Sequence, residues 1–274
     1  MKPFELPRIG FGCWDDVAQL VKDGNGLRPP PDAMRDDRSV SILKSAIDAG
    51  YRHFDTAETY GAGHSETMLG RALQGCQRDE FLVTTKVNPE NLAYTDLLAA
   101  CDRSLSRLQL SYVDMYMIHK PNPDVLLEDT FRGLNELVAD GKIRQIAVSN
   151  FDVPMLERAV SLSETPIATN QVLYNLLHRG PVETGVLGFC QENDIVLTAY
   201  APLRLGVLTH PAVVDIAHRL KFTPAQVGLQ WLIGQDGVVT IPHSGNPSRQ
   251  RDNLAATAIV FSQIDLAQLD AAIT

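Results

Sequence analysis

The sequence is poor in cysteine, and the few cysteines it has are not arranged for a metal or a redox centre. Cys13, Cys76, Cys101 and Cys190 form no C-x-x-C pair, and their spacing suits no zinc site. They read as reduced thiols of a cytoplasmic protein. No stretch approaches the roughly 18 apolar residues that a bilayer-spanning helix requires. The first residues, Met1 to Gly10, carry two prolines and no apolar core, which argues against a secretory leader. Positive charge is also short: 24 Lys and Arg face 33 Asp and Glu, for a net charge of −9. That balance argues against a general nucleic-acid or anionic-membrane surface. No Pro/Ser-rich linker divides the chain, and no G-x-G-x-x-G follows the first strand-like segment, which weakens the case for a doubly wound dinucleotide fold.

What is present is a rhythm. Helix-like and strand-like segments alternate almost from end to end. Strands are expected at Arg52–Asp55, Phe81–Lys86, Val113–His119, Ile143–Ser149, Ile167–Leu173, Ile195–Tyr200, Val238–Ile241 and Ala258–Phe261, from their β-branched and apolar content. Helices are expected between them. They start near Ser39, at Ser65 and Thr95 as caps, before Phe131, at Asp152 with Pro154 in the first turn, near Val182, at Pro211, at Thr223 with Pro224 and Gln226, and near Arg249. Asp265 and Gln268 suggest a capping box for a last helix. About eight strands alternating with helices imply parallel pairing and fit a closed (β/α)₈ barrel over residues 1–274 as one domain. The polar stretch Asp15 to Asp37, with Asn25-Gly26 and three prolines from Pro29 to Pro31, reads as a surface loop near one end of the barrel.

In such a barrel, chemistry belongs at the C-terminal ends of the strands. Asp55, Lys86 and His119 fall at three consecutive strand ends, and Tyr60 lies in the first loop beyond them. Taken singly, the aspartate reads as a helix cap, the lysine as a solvated side chain and the histidine as a packing residue. Their shared position is what marks them.

The run Gly50-Tyr51-Arg52-His53-Phe54-Asp55-Thr56-Ala57-Glu58-Thr59-Tyr60-Gly61 resembles the first signature of the aldo-keto reductase family. Thr85-Lys86, Val113 to His119, Val148-Ser149-Asn150-Phe151, Asn170-Gln171-Val172 and Ala199-Tyr200-Ala201-Pro202-Leu203 follow in the family's order. The resemblance implies a soluble monomer that reduces small carbonyl compounds, aldehydes, ketones or sugar aldehydes, with NADPH. It implies a catalytic tetrad of Asp55, Tyr60, Lys86 and His119 and no metal. A tyrosine, with a free pKa of about 10, is protonated at neutral pH and can donate to the alkoxide that hydride transfer creates. Lys86 would lower that pKa, Asp55 would hold the lysine, and His119 would orient the carbonyl.

For the cofactor, the resemblance implies Tyr200 stacked on the nicotinamide and Ser149, Asn150 and Gln171 on its carboxamide. Pro202 and Leu203 are implied by the same resemblance to bind the cofactor. Ile241, His243, Ser244, Arg249, Asp252 and Asn253 resemble the family's adenosine-phosphate segment. His243 stands where the family usually has lysine, so NADPH is expected with a weaker preference and NADH use is left open. Trp14 matches a pocket tryptophan. Lys120 is expected at the pocket rim, where it would favour anionic substrates. About a dozen residues follow the segment read as the last strand, which implies an open pocket with little C-terminal cover. Two other readings stay open: a slow nicotinamide-binding regulatory subunit, and a barrel with unrelated chemistry in which Lys86 forms a Schiff base.

Overall fold

A computed structural model describes residues 5–14, 21–23, 26–28 and 33–273. Among the described residues there are ten strands: β1 (Phe11–Gly12), β2 (Val21–Asp23), β3 (Gly26–Arg28), β4 (His53–Asp55), β5 (Leu82–Val87), β6 (Val113–Ile118), β7 (Ile143–Ser149), β8 (Ile167–Leu173), β9 (Val196–Tyr200) and β10 (Val238–Thr240). Eleven α-helices accompany them among the described residues: α1 (Ala33–Ala49), α2 (His64–Leu73), α3 (Tyr94–Leu108), α4 (Leu127–Ala139), α5 (Val153–Leu162), α6 (Gly180–Glu183), α7 (Val186–Glu192), α8 (Pro211–Leu220), α9 (Pro224–Ile233), α10 (Pro247–Ala255) and α11 (Gln263–Asp270). No helix among the described residues is long and apolar enough to cross a membrane.

Eight strands pair in the order β1-β4-β5-β6-β7-β8-β9-β10, all parallel. The sheet then closes on itself. Ile9 bridges Thr240 in parallel, Gly10 N donates to Thr240 O at 2.8 Å, and Thr240 N donates to Arg8 O at 2.9 Å. This is the (β/α)₈ barrel that the alternation implies. Strand side chains alternate between two layers, as the two-residue period requires. Phe54, Val83, Tyr116, Ile118, Ile146 and Val148 join the continuous apolar core. Met115, Met117 and Ala147 form a separate small cluster, which Leu6 and Ala168 abut.

The closure depends on two residues without side chains. A Cβ on Gly12 would lie 2.6 Å from the carbonyl oxygen of Ile241, and one on Gly10 would lie 2.5 Å from the His53 imidazole. The same lack of side chains hides β1 from sequence reading, because glycine carries no strand propensity.

Several expectations are corrected. Ala258–Phe261 is not a strand: a 3₁₀ turn over Ala256–Ala258 leads into α11 without pairing to the sheet. The chain beyond the last strand therefore carries α10 and α11 rather than a short tail. The helix near Ser39 begins at Ala33, and part of the Asp15–Asp37 segment is an antiparallel ladder of β2 on β3. That ladder lies against the turn at Tyr60–Gly63. Asn25 and the three prolines of that segment lie outside the described residues.

Ser65 does not cap α2. The preceding Gly63 takes φ +88°, and Ser65 Oγ instead donates to Cys13 O at 3.2 Å. Thr95 lies inside α3, whose N-cap is Ala93. The helix expected near Val182 is two helices broken at Gly185. The last capping box joins Ser262 to Asp265 rather than Asp265 to Gln268. The Thr223–Gln226 box and the Asp152 cap stand as expected.

His53 is enclosed by this closure. Its Nε2 lies 2.9 Å from Thr84 Oγ1, and burial, against the pull of Asp55, drives its pKa from 6.5 down to about 4. The unfolded chain therefore binds the proton first as pH falls. The stability contribution is full above pH 6.5 and is lost as pH falls to about 4, amounting to about 3 kcal/mol. Denaturant unfolding at stepped pH is expected to show a shallower acid-side slope in His53→Asn than in the wild type. Identical slopes would place this proton uptake elsewhere.

Candidate active site

Each candidate side chain is set by a strand end. Asp55 closes β4, Lys86 is the penultimate residue of β5, His119 follows β6, Ser149 closes β7 and Tyr200 closes β9. Gln171 lies within β8, and Tyr60 opens a 3₁₀ turn just beyond β4. The period-2 alternation and parallel register bring these positions to one end of the barrel.

The structure joins the tetrad into a chain of contacts. Lys86 Nζ makes a short ion-paired hydrogen bond to Asp55 Oδ1. It also donates to Thr56 O at 2.9 Å and to Tyr60 Oη at 3.2 Å. Asp55 and Lys86 are fully buried. The Tyr60 and His119 rings meet edge to face, with centroids 5.6 Å apart. Thr59 Oγ1 lies 3.1 Å from His119 Nδ1 and fixes the imidazole.

Burial sets the proton affinities. It pushes the Tyr60 phenol above its ordinary pKa of 10; Lys86 pulls the other way, as the sequence suggests, but is outweighed. Burial also opposes the charge on Lys86, but Asp55 and Tyr60 more than offset this and hold the ammonium above its ordinary value. His119 falls from 6.5 to about 4, through burial first and Lys86 second, so its imidazole is neutral at neutral pH. The site thus holds a protonated phenol beside a permanent ammonium and a neutral imidazole.

A second group of contacts adjoins the tetrad. Gln171 Nε2 donates to Asp55 Oδ2 at 2.8 Å. Ser149 Oγ donates to Gln171 O at 2.7 Å, and Asn150 Nδ2 donates to Ser149 Oγ at 2.9 Å and His119 O at 3.2 Å. Tyr200 Oη donates to Asn150 Oδ1 at 3.0 Å. Asn150 takes φ +61°, a left-handed conformation that asparagine adopts more readily than most residues.

These residues open into a cavity of about 550 Å³ whose walls include Trp14, Lys120, Pro202, Leu203, Ile241 and His243. No residue of α10 or α11 is among the described residues that line it. His243 also borders a second cavity of about 730 Å³, where Ser244 and Arg249 lie at the start of α10. Asp252 and Asn253 line neither cavity. Asn253 is buried, and the nearby Tyr51 Oη donates to Gln250 O at 3.1 Å.

Sequence reasoning misses two participants, Thr59 and Arg204, and one contact of a residue it names, Gln171. Thr59, the partner of His119, sits beside Tyr60 in the first signature and was within reach. Arg204 stacks its guanidinium 4.5 Å from the centre of the Trp14 ring at the cavity mouth, and nothing in its local sequence marks it. The role of Gln171 toward Asp55 needs the β8 position relative to β4, which a linear sequence does not give.

The model of the Aldo/keto reductase family matches residues 9–274. The methylglyoxal reductase YeaE of Escherichia coli (strain K12) is 35% identical over 277 residues, covering 97% of this chain and 91% of that protein. The crystal structure of a thermostable aldo-keto reductase, Tm1743, with the inhibitor epalrestat superposes with a TM-score of 0.91 at 40% identity, covering 99% of this chain and 97% of that one. The aldo/keto reductase of Klebsiella pneumoniae in complex with NADP and acetate gives a TM-score of 0.85 at 35% identity, covering 97% and 91%.

The buried ion pair yields a stability prediction. Asp55→Asn leaves the Lys86 ammonium without its counter-charge and is expected to cost about 3–5 kcal/mol in denaturant unfolding. Tyr60→Phe, which removes only a 3.2 Å contact to the lysine, is expected to cost under about 1.5 kcal/mol. Equal costs would mean that the pair does not hold Lys86 in place.

Proposed function

The chain belongs to the aldo/keto reductase family, and on that premise we propose that it reduces small aldehydes and ketones with NADPH, using Tyr60 as the proton donor. The observation that carries this reading is the continuous contact chain Asp55–Lys86–Tyr60 emerging beside His119 in one cavity. The relative named for methylglyoxal reduction favours short α-oxo aldehydes as the substrate class. A cavity whose lining, among the described residues, includes none from α10 or α11 suits a broad range of them.

A nicotinamide dinucleotide fits the residues present. Gln171 commits one amide hydrogen to Asp55 and keeps its amide oxygen for a carboxamide N–H, beside Ser149 and Asn150. Tyr200 offers a ring face in the same cavity. Ser244 and Arg249 offer polar and positive groups beyond His243. When bound, NADPH supplies the hydride; the remaining work falls to side chains.

His119 Nδ1 is engaged by Thr59, which leaves Nε2 to orient the carbonyl oxygen. As the carbonyl carbon accepts the hydride, the C=O electron pair moves onto oxygen. Tyr60 Oη gives its proton to that oxygen, and the resulting phenolate is held by the Lys86 ammonium 3.2 Å away. Asp55 keeps the lysine charged and aimed. Solvent reaching the cavity mouth then restores the tyrosine proton.

The test is oxidation of NADPH, followed by the absorbance of the reduced nicotinamide, with methylglyoxal and a panel of aldehydes. Tyr60→Phe is expected to lower kcat roughly 10²- to 10⁴-fold, the range of general acid catalysis, with cofactor affinity retained. Full activity in that variant would sink the role given to Tyr60.

Lys120 is exposed at the rim of the cavity. A carboxylated aldehyde and its methyl ester are expected to differ in kcat/KM in the wild type, in favour of the acid. Lys120→Ala is expected to remove roughly 1.5- to fivefold from the acid alone, as a screened charge contact does. Equal effects on both substrates would assign the lysine to solvent.

A further inference from the structure

We propose that Arg107 of α3, set between Glu58 and Glu66, is a positioning residue for Tyr60: it locks the left-handed turn that carries the phenol and so holds the proton donor against Lys86. The inference deepens the reductase reading of the site and rests on the role given there to Tyr60.

Little holds the phenol directly. Among the described residues, Tyr60 Oη bonds Lys86 alone, at 3.2 Å. Lys86, by contrast, is tied to Asp55 and to Thr56 O. The place of the Tyr60 ring is therefore set by its backbone, and that backbone is strained. Gly61 (φ 60°, ψ 32°), Ala62 (φ 53°, ψ 43°) and Gly63 (φ 88°, ψ −1°) take three consecutive left-handed conformations. Alanine meets a steric penalty there that glycine escapes. A residue stays in such a conformation only where its surroundings over-determine it.

Arg107 supplies those surroundings. Its guanidinium lies so close to Gly63 that a Cβ on that glycine would collide with it. Nε donates to Glu66 Oε2 at 2.6 Å; Nη2 donates to Ser104 Oγ at 3.1 Å and lies 4.0 Å from Glu58 Oε2. Glu66 is fully buried in the first turn of α2 and also accepts from Thr85 Oγ1 at 2.5 Å. Burial pushes its carboxyl above the ordinary value, and Arg107 is the foremost influence that pulls it back. Glu58 Oε1 accepts from Asn88 N at 2.6 Å and from Asn91 Nδ2 at 3.0 Å, while Glu58 N donates to Lys86 O at 3.2 Å.

These contacts fall on both sides of both reacting residues. Glu58 stands two residues before Tyr60, and Gly63 and Glu66 follow it. Thr85 precedes Lys86, and Asn88 lies two residues beyond it. One guanidinium thus joins the two ends of the tyrosine turn, and its two carboxylate partners join that turn to the strand of the lysine. A planar fork imposes fixed directions on such partners, which an ammonium on a flexible stem does not. Among the described residues that line the cavity of the tetrad and its neighbour, none is Glu58, Glu66 or Arg107. Their influence on the reaction therefore passes through Tyr60 rather than through substrate or cofactor.

The experiment measures kcat and KM for NADPH-dependent reduction of methylglyoxal in Arg107→Met, Glu58→Gln and the pair Arg107→Met/Glu66→Gln. Each is made in the wild type and in Tyr60→Phe, with NADP⁺ binding followed by calorimetry. The pair leaves no buried carboxylate without its counter-charge, so it answers the question even where Arg107→Met alone fails to fold. Arg107→Met and the pair are expected to lower kcat roughly ten- to a hundredfold, with KM and NADP⁺ affinity held within about twofold, as a small misplacement of a reacting group does. Glu58→Gln is expected to show the same pattern with a smaller loss. In Tyr60→Phe the same substitutions are expected to cost under about twofold, because a donor already removed cannot be misplaced. Equal losses in the two backgrounds would assign Arg107 to general stability and overturn the inference, as would a loss carried by KM. An unchanged kcat in Arg107→Met and the pair, beside an inactive Tyr60→Phe, would remove the inference and keep the reductase. Full activity in Tyr60→Phe would remove both.

Discussion

The active end of this barrel is organised around one buried ion pair. Lys86 and Asp55 come from adjacent parallel strands, and both are almost wholly withdrawn from water. Removing two charges from water costs several kcal/mol per ion, and the pair survives only because each remaining polar atom is met. Thr56 O takes one ammonium hydrogen, Tyr60 Oη another, and Gln171 satisfies the second carboxylate oxygen. The lysine cannot relax toward solvent without breaking this set, so Tyr60 is held against a fixed positive charge. The proton chemistry proposed for Tyr60 draws on that constraint. A phenol whose proton affinity is raised by burial stays protonated, and a fixed ammonium beside it stabilises the anion left when the proton departs.

The barrel must close tightly for the pair to stay dry, and closure occurs where side chains are absent. Gly10 and Gly12 let the first strand approach His53 and the Ile241 carbonyl at distances that no Cβ permits. The same approach brings His243 against the Gly12 carbonyl and Trp14 to the cavity mouth. Barrel closure and site assembly are therefore one event: the residues that seal the sheet also deliver one wall of the cavity.

How much of this was legible follows from how local each signal is. Asp55, Lys86 and His119 stood out because each is an ionisable residue that ends an apolar run, and fold class turns run-ends into a common site. The Thr223 and Asp152 caps were legible because a cap is settled within four residues. Ser65 misled because its hydroxyl is taken by Cys13 and Thr56, contacts made by tertiary structure. Ala258–Phe261 has strand-like residues but no edge to join, since Ile9 has already bridged Thr240 and the barrel has none left. Strand β1 escapes the sequence for the opposite reason: Gly12 lacks strand propensity, Gly10 precedes it, and only closure makes it a strand. Lys86 lowers the tyrosine's proton affinity as the sequence implies, but burial, which a list of neighbours does not show, raises it by more.

The distribution of charge ties the two cavities together. A net charge of −9 would repel a polyanionic dinucleotide at long range if the charge were evenly spread. It is not: Arg38 and Arg249 line the cavity beyond His243, and the barrel mouth carries Lys120 and Arg204. Inside the barrel, Asp55 cancels Lys86, so the catalytic end adds no net charge to the approach. The acidic surface and the basic cavities thus serve different ranges. Salt screens the first within about 10 Å, whereas partly enclosed guanidiniums act by direct contact, where screening is weak. An acidic protein can in this way hold an anionic ligand without becoming a general binder of anions.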